Sequence, residues 1–310
     1  MSPGPVARAR GASGSEAGAD RPPAPFVVGL TRSGTTLLRM MLDAHRELTI
    51  PPETHFVPDL IEAARDGGGA PAMLEALTSN RTWADFGIDA DEMRTRLERV
   101  GRGDAAAAVR AFFDAYAERQ GKPRWGDKTP AYMLSVQRIG RALPESRFVH
   151  LIRDGRDVAL SQRARALNEQ PPPAEQAARW VKRIHKSREQ ALSLKGPRYV
   201  EARYEDLVRD PEVTLRRVCE FIELPWDVGM LSYHERAAER LEEMAGGLRA
   251  VGEHSEQEAG YRIDNHAPTT RPPDPSKLDK WKREMAPEDV EAYESVAGAL
   301  LAELGYEVGG

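Results

Sequence analysis

The segment from Gly29 to Thr36 contains residue types that could hold an anion. It reads Gly-Leu-Thr-Arg-Ser-Gly-Thr-Thr and nearly fits the phosphate-loop pattern G-x-x-x-x-G-K-[ST]. In such a loop, glycines let the backbone wrap around an anion, and successive N–H groups supply partial positive charge. Thr35 stands where the pattern has the lysine that grips a nucleoside triphosphate, and Arg32 is the cation inside the loop instead. Unless Gly34 serves only as a turn, the loop predicts an anion site that differs from those of kinases and ATPases.

Apolar runs and polar turns alternate along the chain. This order predicts the strands and helices that would position the loop. Runs at residues 25–30, 147–152 and 198–202 have the length and composition of buried strands. The first two lead directly into a polar turn and a helix. Strands that alternate with helices indicate an α/β fold, here a P-loop-like, mainly parallel sheet flanked by helices.

Composition divides the rest of the chain. Residues 1–24 are rich in Gly, Ala, Ser and Pro and predict a disordered tail, so residues 25–310 would form the one domain. Residues 61–120 and 287–304 have helical patterns. The segment 242–275 has little periodicity, and we expect a long loop of the kind that often closes over a ligand.

Charge and hydropathy exclude several classes of protein. A net charge of -5 gives no basic surface for nucleic acid. The one cysteine, Cys219, cannot form an internal disulfide, and no apolar run approaches the roughly 20 residues that span a bilayer. No signal peptide is recognisable at the N-terminus. We therefore expect a cytoplasmic protein with no membrane partner and no bound metal, and we leave a homodimer open.

Several motifs resemble the sulfotransferase family, and most closely its protein-tyrosine sulfotransferase branch. The loop and its continuation resemble the 5′-phosphosulfate loop, and later segments resemble the motifs for the 3′-phosphate and for a lysine at the reacting bond. The segments that carry the resemblance are Arg32–Leu38, Met41–His45, Pro52–Thr54, Asp127–Pro130, Arg153–Arg156, Tyr204–Leu207, Leu278–Trp281 and Leu301–Tyr306. The resemblance extends over most of residues 25–306 and is weakest in residues 61–120 and 230–270.

The resemblance implies a sulfotransferase fold and the donor 3′-phosphoadenosine-5′-phosphosulfate (PAPS), with no metal. It implies that Arg32 stabilises charge on the moving sulfuryl group and that Lys128 meets the oxygen of the departing phosphate. The donor contacts that it implies start with the backbone from Arg32 to Leu37, which would hold the 5′-phosphate. The expected donor-binding residues are Arg32, Ser33, Gly34, Thr35, Thr36, Leu37, Arg153, Ser161, Arg165, Tyr204, Ser255 and Arg271.

Glu53 is the general base that the resemblance implies, and it would take the proton of the acceptor hydroxyl. We expect partial burial to raise its pKa and so to suit it to a phenol, whose own pKa is near ~10. The alternative is that Glu53 only begins a helix after two prolines. Among the histidines, His45, His55 and His150 are the rival bases.

Three functions remain in competition at this point. The leading one is a PAPS-dependent O-sulfotransferase that acts on a phenol, a peptide tyrosine or a small hydroxylated metabolite. The second is a small-molecule kinase with a degenerate phosphate loop. The third is a catalytically silent nucleotide-binding protein.

Overall fold

A computed structural model describes residues 21–164, 171–249 and 266–309 of the chain. Two parallel sheets lie at its centre. The strands are β1 (Ala24–Val28), β2 (Leu48–Thr49), β3 (Arg124–Trp125), β4 (Asp127–Lys128), β5 (Ser146–Ile152) and β6 (Tyr199–Arg203).

The larger sheet has the strand order β4-β1-β5-β6, and every neighbouring pair is parallel. Strand β1 pairs Phe26 with Phe148 of β5 and Val27 with Lys128 of β4. Strands β2 and β3 form the smaller sheet. The carboxyl ends of all four strands in the larger sheet therefore meet at one edge, which is where ligands bind in open parallel sheets.

Helices account for most of the remaining described residues. The α-helices are α1 (Thr35–Asp43), α2 (Val57–Arg65), α3 (Gly69–Thr78), α4 (Ala90–Leu97), α5 (Ala105–Arg119), α6 (Val136–Ala142), α7 (Gly155–Arg163), α8 (Pro173–Ala191), α9 (Tyr204–Arg209), α10 (Pro211–Phe221), α11 (His234–Arg249), α12 (Trp281–Glu284) and α13 (Pro287–Glu303). Short 3₁₀ helices cover Trp83–Phe86, Pro130–Leu134, Val228–Ser232, Ala267–Thr270 and Pro275–Lys277.

The hydrophobic core lies on both faces of the larger sheet. Phe26 and Phe148 belong to one cluster, whereas Val27 and Val149 belong to the other. Successive side chains of a strand point to opposite faces, so this division follows from the pleat. All four side chains are fully buried. Continuous apolar strands are expected where helices cover both faces of a parallel sheet.

The α/β fold predicted from the sequence is confirmed, and two boundaries differ. Residue 24 falls in the predicted tail, yet Ala24 is the first residue of β1 and is buried. Helix α11 occupies the first part of the segment 242–275, so the predicted loop does not begin at 242. The part of α11 that precedes residue 242 packs Ala237 and Leu241 into the core, and this tertiary packing stabilises the helix. Residues 1–20 of the predicted tail lie outside the described residues.

Within the described ranges, no helix has both the length and the apolar character needed to cross a bilayer. The same residues contain no group of three or more histidine, cysteine or acidic side chains placed to hold a metal ion.

Candidate active site

The predicted site residues gather at the carboxyl edge of the larger sheet because each follows or ends a different strand. The anion loop follows β1, Lys128 is the last residue of β4, Arg153 follows β5, and Tyr204 follows β6. Parallel pairing thus brings four segments that are distant in sequence to one edge.

The loop between β1 and α1 has the backbone geometry of an anion cradle. Gly34 has φ 87°, and a Cβ there would collide with the Tyr204 ring. Arg32 also has a positive φ, of 77°, which costs a non-glycine residue energy and often marks a functional position. The Ser33 hydroxyl is buried without a hydrogen-bond partner among the described residues. The loop therefore presents an orphaned polar group and a helix N-terminus to any anion that it holds.

Two arginines and a serine join the loop to helix α7. The Arg32 Nε donates to the Ser161 hydroxyl over 3.1 Å. The Arg153 guanidinium donates to the Arg32 carbonyl oxygen over 3.2 Å and to Asp157 over 3.2 Å, and it stacks 4.8 Å from the Tyr204 ring centroid. Arg153 thus makes a salt bridge with Asp157, and it also lines the cavity above the loop.

Glu53 and Lys128 form the central ion pair of the site. The Lys128 Nζ donates to Glu53 Oε1 over 2.5 Å and to the Thr36 hydroxyl, in the first turn of α1, over 3.3 Å. The Lys128 side chain is fully buried, whereas that of Glu53 is 25% exposed. His55 Nε2 lies 3.0 Å from the other Glu53 oxygen. A carboxylate and an ammonium are therefore held directly beside the anion loop.

The ion pair reverses the predicted pKa shift of Glu53. Burial by itself raises the pKa of the carboxyl, but the Lys128 ammonium and His55 outweigh it and hold that pKa well below its usual range. The expectation of a raised pKa is therefore wrong for this arrangement. Burial lowers the pKa of Lys128, although the carboxylate opposes that shift.

A buried hydrogen-bond network fixes the segment that carries Glu53. The backbone N–H of Thr54 donates to the Thr129 hydroxyl over 3.0 Å, and the Thr54 hydroxyl donates to Asp127 Oδ2 over 2.8 Å. The Tyr132 hydroxyl lies 2.8 Å from that of Thr54. The residue after Glu53 is thereby tied to both neighbours of Lys128, so the base candidate and the lysine share one frame.

The small sheet brings the segment that carries Glu53 close to Lys128. Strand β2 precedes the Glu53 segment, strand β3 precedes β4, and Gly126 lies between the two sheets. The Gly126 N–H donates to the Thr49 carbonyl oxygen over 2.9 Å. A Cβ at Gly126 would come within 2.8 Å of the Pro25 carbonyl oxygen, so only glycine allows the strands to approach this closely.

The structure separates the three histidines proposed as rival bases. His45 is buried, lies 2.8 Å from the Pro225 carbonyl oxygen and accepts from the Glu47 N–H over 2.9 Å. His150 is buried in β5 against Tyr199, and burial lowers its pKa to about 4. Of the three, only His55 touches the Glu53–Lys128 pair.

Sequence reasoning missed His266, which lines the same cavity as Glu53 and Arg32. Burial lowers its pKa to about 3, and the charge of Lys128 adds to this effect. His266 precedes a 3₁₀ turn in a segment without periodicity, so no pattern distinguished it from the other histidines. The cavity measures about 730 Å³, within the range of nucleotide and drug-sized sites.

The remaining predicted donor contacts divide into described and undescribed residues. Arg271 lines the cavity, and its carbonyl oxygen accepts from the Tyr233 hydroxyl over 2.6 Å. Arg165 and Ser255 lie outside the described residues. Leu37 and Thr35 line the cavity in the first turn of α1.

The parallel sheet, the glycine loop that opens a helix and the arginines that line the cavity define an α/β protein of the phosphate-loop-like class. Comparison with known families specifies which one. The profile described as "Sulfotransferase family" matches residues 23–228, and the chain belongs to this family.

Related proteins agree with this assignment. The chain is 26% identical to protein-tyrosine sulfotransferase 1 of Danio rerio over 292 residues, covering 91% of this chain and 72% of the relative. It is 25% identical to protein-tyrosine sulfotransferase 1 of Homo sapiens, covering 91% of this chain and 69% of the relative.

Solved structures show the same fold. The sulfotransferase domain from the curacin biosynthetic pathway matches with a TM-score of 0.63 and 24% identity, over 93% of this chain and 99% of that domain. The sulfotransferase domain of the Synechococcus PCC 7002 olefin synthase matches with a TM-score of 0.55 and 22% identity, over 94% of this chain and 98% of that domain. These similarities concern the fold alone.

Proposed function

We propose that this sulfotransferase moves a sulfuryl group from PAPS to an acceptor hydroxyl, with Glu53 as general base. The observation that carries the proposal is the contact of Lys128 with both Glu53 and Thr36. That contact places a proton acceptor and a cation next to each other at the loop that would hold the donor's 5′-phosphate.

The lining of the cavity supports such a donor. Its lining includes cationic side chains from separate segments, among them Arg32, Arg153, Arg271 and Lys277. The buried Ser33 hydroxyl has a vacant bonding capacity that a phosphate oxygen would satisfy. Tyr204, which packs against Gly34 and Arg153, offers a ring on which a purine could stack.

The proposed step balances with groups present in the chain. The acceptor oxygen forms a bond to sulfur while its proton passes to the Glu53 carboxylate. The bond from sulfur to the bridging oxygen breaks, and the electron pair leaves with the 5′-phosphate. Lys128 donates a hydrogen bond to the oxygen that gains this charge, and Arg32 stabilises the sulfuryl oxygens. The donor supplies the sulfuryl group when it is bound.

The Glu53–Lys128 pair makes the base depend on the donor. While Lys128 donates to Glu53, the low pKa of the carboxyl makes it a poor proton acceptor. A bound donor would draw the ammonium toward the bridging oxygen. Burial would then act on Glu53 without its counter-ion and raise its pKa toward that of an effective base.

The acceptor is inferred from the relatives. Their names describe transfer to protein tyrosine. We propose a phenolic hydroxyl, carried by a peptide or by a small metabolite. The acceptor would occupy the part of the cavity beside Glu53, and the cavity lining also includes His266 and the 3₁₀ turn that follows it.

The test measures transfer of labelled sulfur from PAPS to a panel of phenols and tyrosine-containing peptides. We expect Glu53→Gln to lower kcat by about a hundredfold or more, as for loss of a general base. Lys128→Met should lower it by roughly 10²–10³, as for loss of a charge-stabilising donor. Exposed Glu62, replaced by glutamine, is the matched control and should change little.

Binding measurements separate the alternatives. Adenosine 3′,5′-bisphosphate should bind wild-type protein and both variants, whereas ATP should not compete with it. Preferential ATP binding would favour a kinase. Bisphosphate binding without transfer to any acceptor would favour a silent nucleotide-binding protein, and full activity of both variants would refute the assigned roles.

A further inference from the structure

A second cavity lies behind the anion loop, among α7, α8 and α13. It measures about 240 Å³, and no side chain of its lining has a role in the proposed reaction. Its wall includes Thr31, which also lines the larger cavity, so the two spaces share one loop residue. Roughly 150 Å³ is enough to hold a benzene molecule, so this space admits a small organic ligand.

Three buried side chains that line this cavity carry polar atoms without a hydrogen-bond partner in the described part of the chain. They are the amide of Gln176, the indole N–H of Trp180 and the hydroxyl of Tyr293, and none has a hydrogen-bond partner among the described residues. Their exposed fractions are 6%, 2% and 1%. Leaving one such group unsatisfied costs about 1–3 kcal/mol, so three at one site indicate a ligand or ordered water.

The donors outnumber the acceptors around this cavity. Trp180 can only donate, whereas Gln176 and Tyr293 can each donate and accept. Two arginines of α8, Arg179 and Arg183, line the same space and are exposed to solvent. Arg179 is paired with Glu175 over 2.5 Å, and no acidic side chain lies in the described lining itself. The cavity is therefore suited to a group that accepts hydrogen bonds and carries negative charge.

Close packing at one wall of this cavity depends on a glycine. Gly155, the first residue of α7, lies against the Tyr293 hydroxyl and the Trp180 ring. A Cβ there would collide with the hydroxyl and come within 2.8 Å of the ring. Glycine at this position thus lets both polar side chains approach α7.

We propose that this cavity is a second binding site, which takes a small ligand bearing a carboxylate or a similar oxyanion. The Trp180 indole, the Tyr293 hydroxyl and the Gln176 amide bind the oxyanion, and Arg183 attracts it at the mouth. Such a group could be the far end of an acceptor that passes Thr31, or a separate effector.

The experiment uses isotope-labelled full-length protein and its five tryptophan indole signals in proton–nitrogen spectra. Trp180→Phe identifies the Trp180 signal by its loss. Benzoate is the probe, and benzamide is the uncharged probe of matched size. We expect benzoate to move the Trp180 signal saturably and downfield, and benzamide to bind much more weakly.

Variants locate the binding. Arg183→Ala should weaken benzoate about tenfold, the usual effect of losing a charged hydrogen bond. Tyr293→Phe should weaken it several-fold. Exposed Lys182, replaced by alanine, removes one positive charge from the same helix without touching the cavity and should change nothing.

Three outcomes would overturn the proposal. These are no saturable shift at tens of millimolar benzoate, equal affinity for benzamide, or equal weakening by Lys182→Ala and Arg183→Ala. None of these readings requires turnover, so they are independent of the proposed sulfuryl transfer. Where benzoate binds, its effect on sulfuryl transfer distinguishes the two sources of the ligand. If benzoate raises the KM for the acceptor at constant kcat, the site belongs to the acceptor. If benzoate changes kcat at constant KM, the site belongs to an effector.

Discussion

Asp127 provides a sharp test of the network that supports the active site. Its side chain is fully buried beside Lys128, and its Oδ2 accepts hydrogen bonds from Thr54 and Thr129. Its Oδ1 has no partner among the described residues. Burial raises the pKa of Asp127 to about 7, although the two threonines oppose that shift. Asp127→Asn keeps the shape and an acceptor but removes the ionisation.

The sign and size of the effect follow from proton linkage. The pKa of Asp127 is about 7 when folded and about 3.9 when unfolded, so the folded protein binds more protons between these values. Stability contributed by this group is full below about pH 4 and falls as pH rises to about 7. This stability is lost over the roughly three pH units between the unfolded and the folded pKa. About two of these units lie above pH 5, so wild type loses roughly 3 kcal/mol of this stability between pH 5 and pH 8.5.

The assay is urea unfolding of wild-type and Asp127→Asn protein, followed by tryptophan fluorescence at pH 5 and pH 8.5. We expect the variant to gain about 3 kcal/mol relative to wild type between the two pH values. Other titrating groups cancel in this difference where they are distant from Asp127. The exposed Asp66, replaced by asparagine, is the matched control. A difference that does not change with pH would refute a buried ionising Asp127.

Three further predictions concern the site itself. Gly34→Ala should abolish bisphosphate binding in calorimetry and lower Tm by several degrees, because its φ of 87° is unfavourable for alanine and its Cβ would collide with Tyr204; retained binding would contradict the cradle geometry. His55→Ala should raise the pKa of Glu53, since His55 helps to hold it low, and so shift the acidic limb of the kcat/KM profile to higher pH; an unmoved limb would show that the contact is idle. Arg153→Ala should raise the donor KM about tenfold or more with a smaller effect on kcat, and should lessen the salt dependence of binding; an equal loss in kcat and kcat/KM would assign Arg153 to the transition state instead.

Local patterns were enough to predict the anion loop and the strands around it. An apolar run, a glycine turn and an amphipathic helix lie adjacent in sequence, so their geometry depends on neighbouring residues alone. Arg153 and Tyr204 directly follow the strands β5 and β6, so their positions at the ends of these strands depend on the local pattern as well. Their convergence at one edge follows from parallel pairing.

Contacts between distant segments decided the rest. Glu53 and Lys128 are 75 residues apart, and the small sheet brings them together. The direction of the Glu53 pKa shift depends on how close the Lys128 ammonium lies to the carboxylate, since burial raises this pKa and a counter-ion lowers it. His266 lines the cavity but belongs to a segment without periodicity, so no sequence pattern predicted its position.

The second cavity shows the same division. The sequence pattern places Gln176, Trp180 and Tyr293 on helices, and it predicts nothing further about their polar atoms. What makes them notable is that their polar atoms are buried without partners, which depends on how α7, α8 and α13 pack. A hydrogen bond that is absent cannot be read from a linear pattern, because its absence is a property of the whole surrounding shell. The sequence by itself determined the fold class and the loop between β1 and α1, whereas the tertiary structure decided the ion pair between Glu53 and Lys128 and the existence of a second cavity.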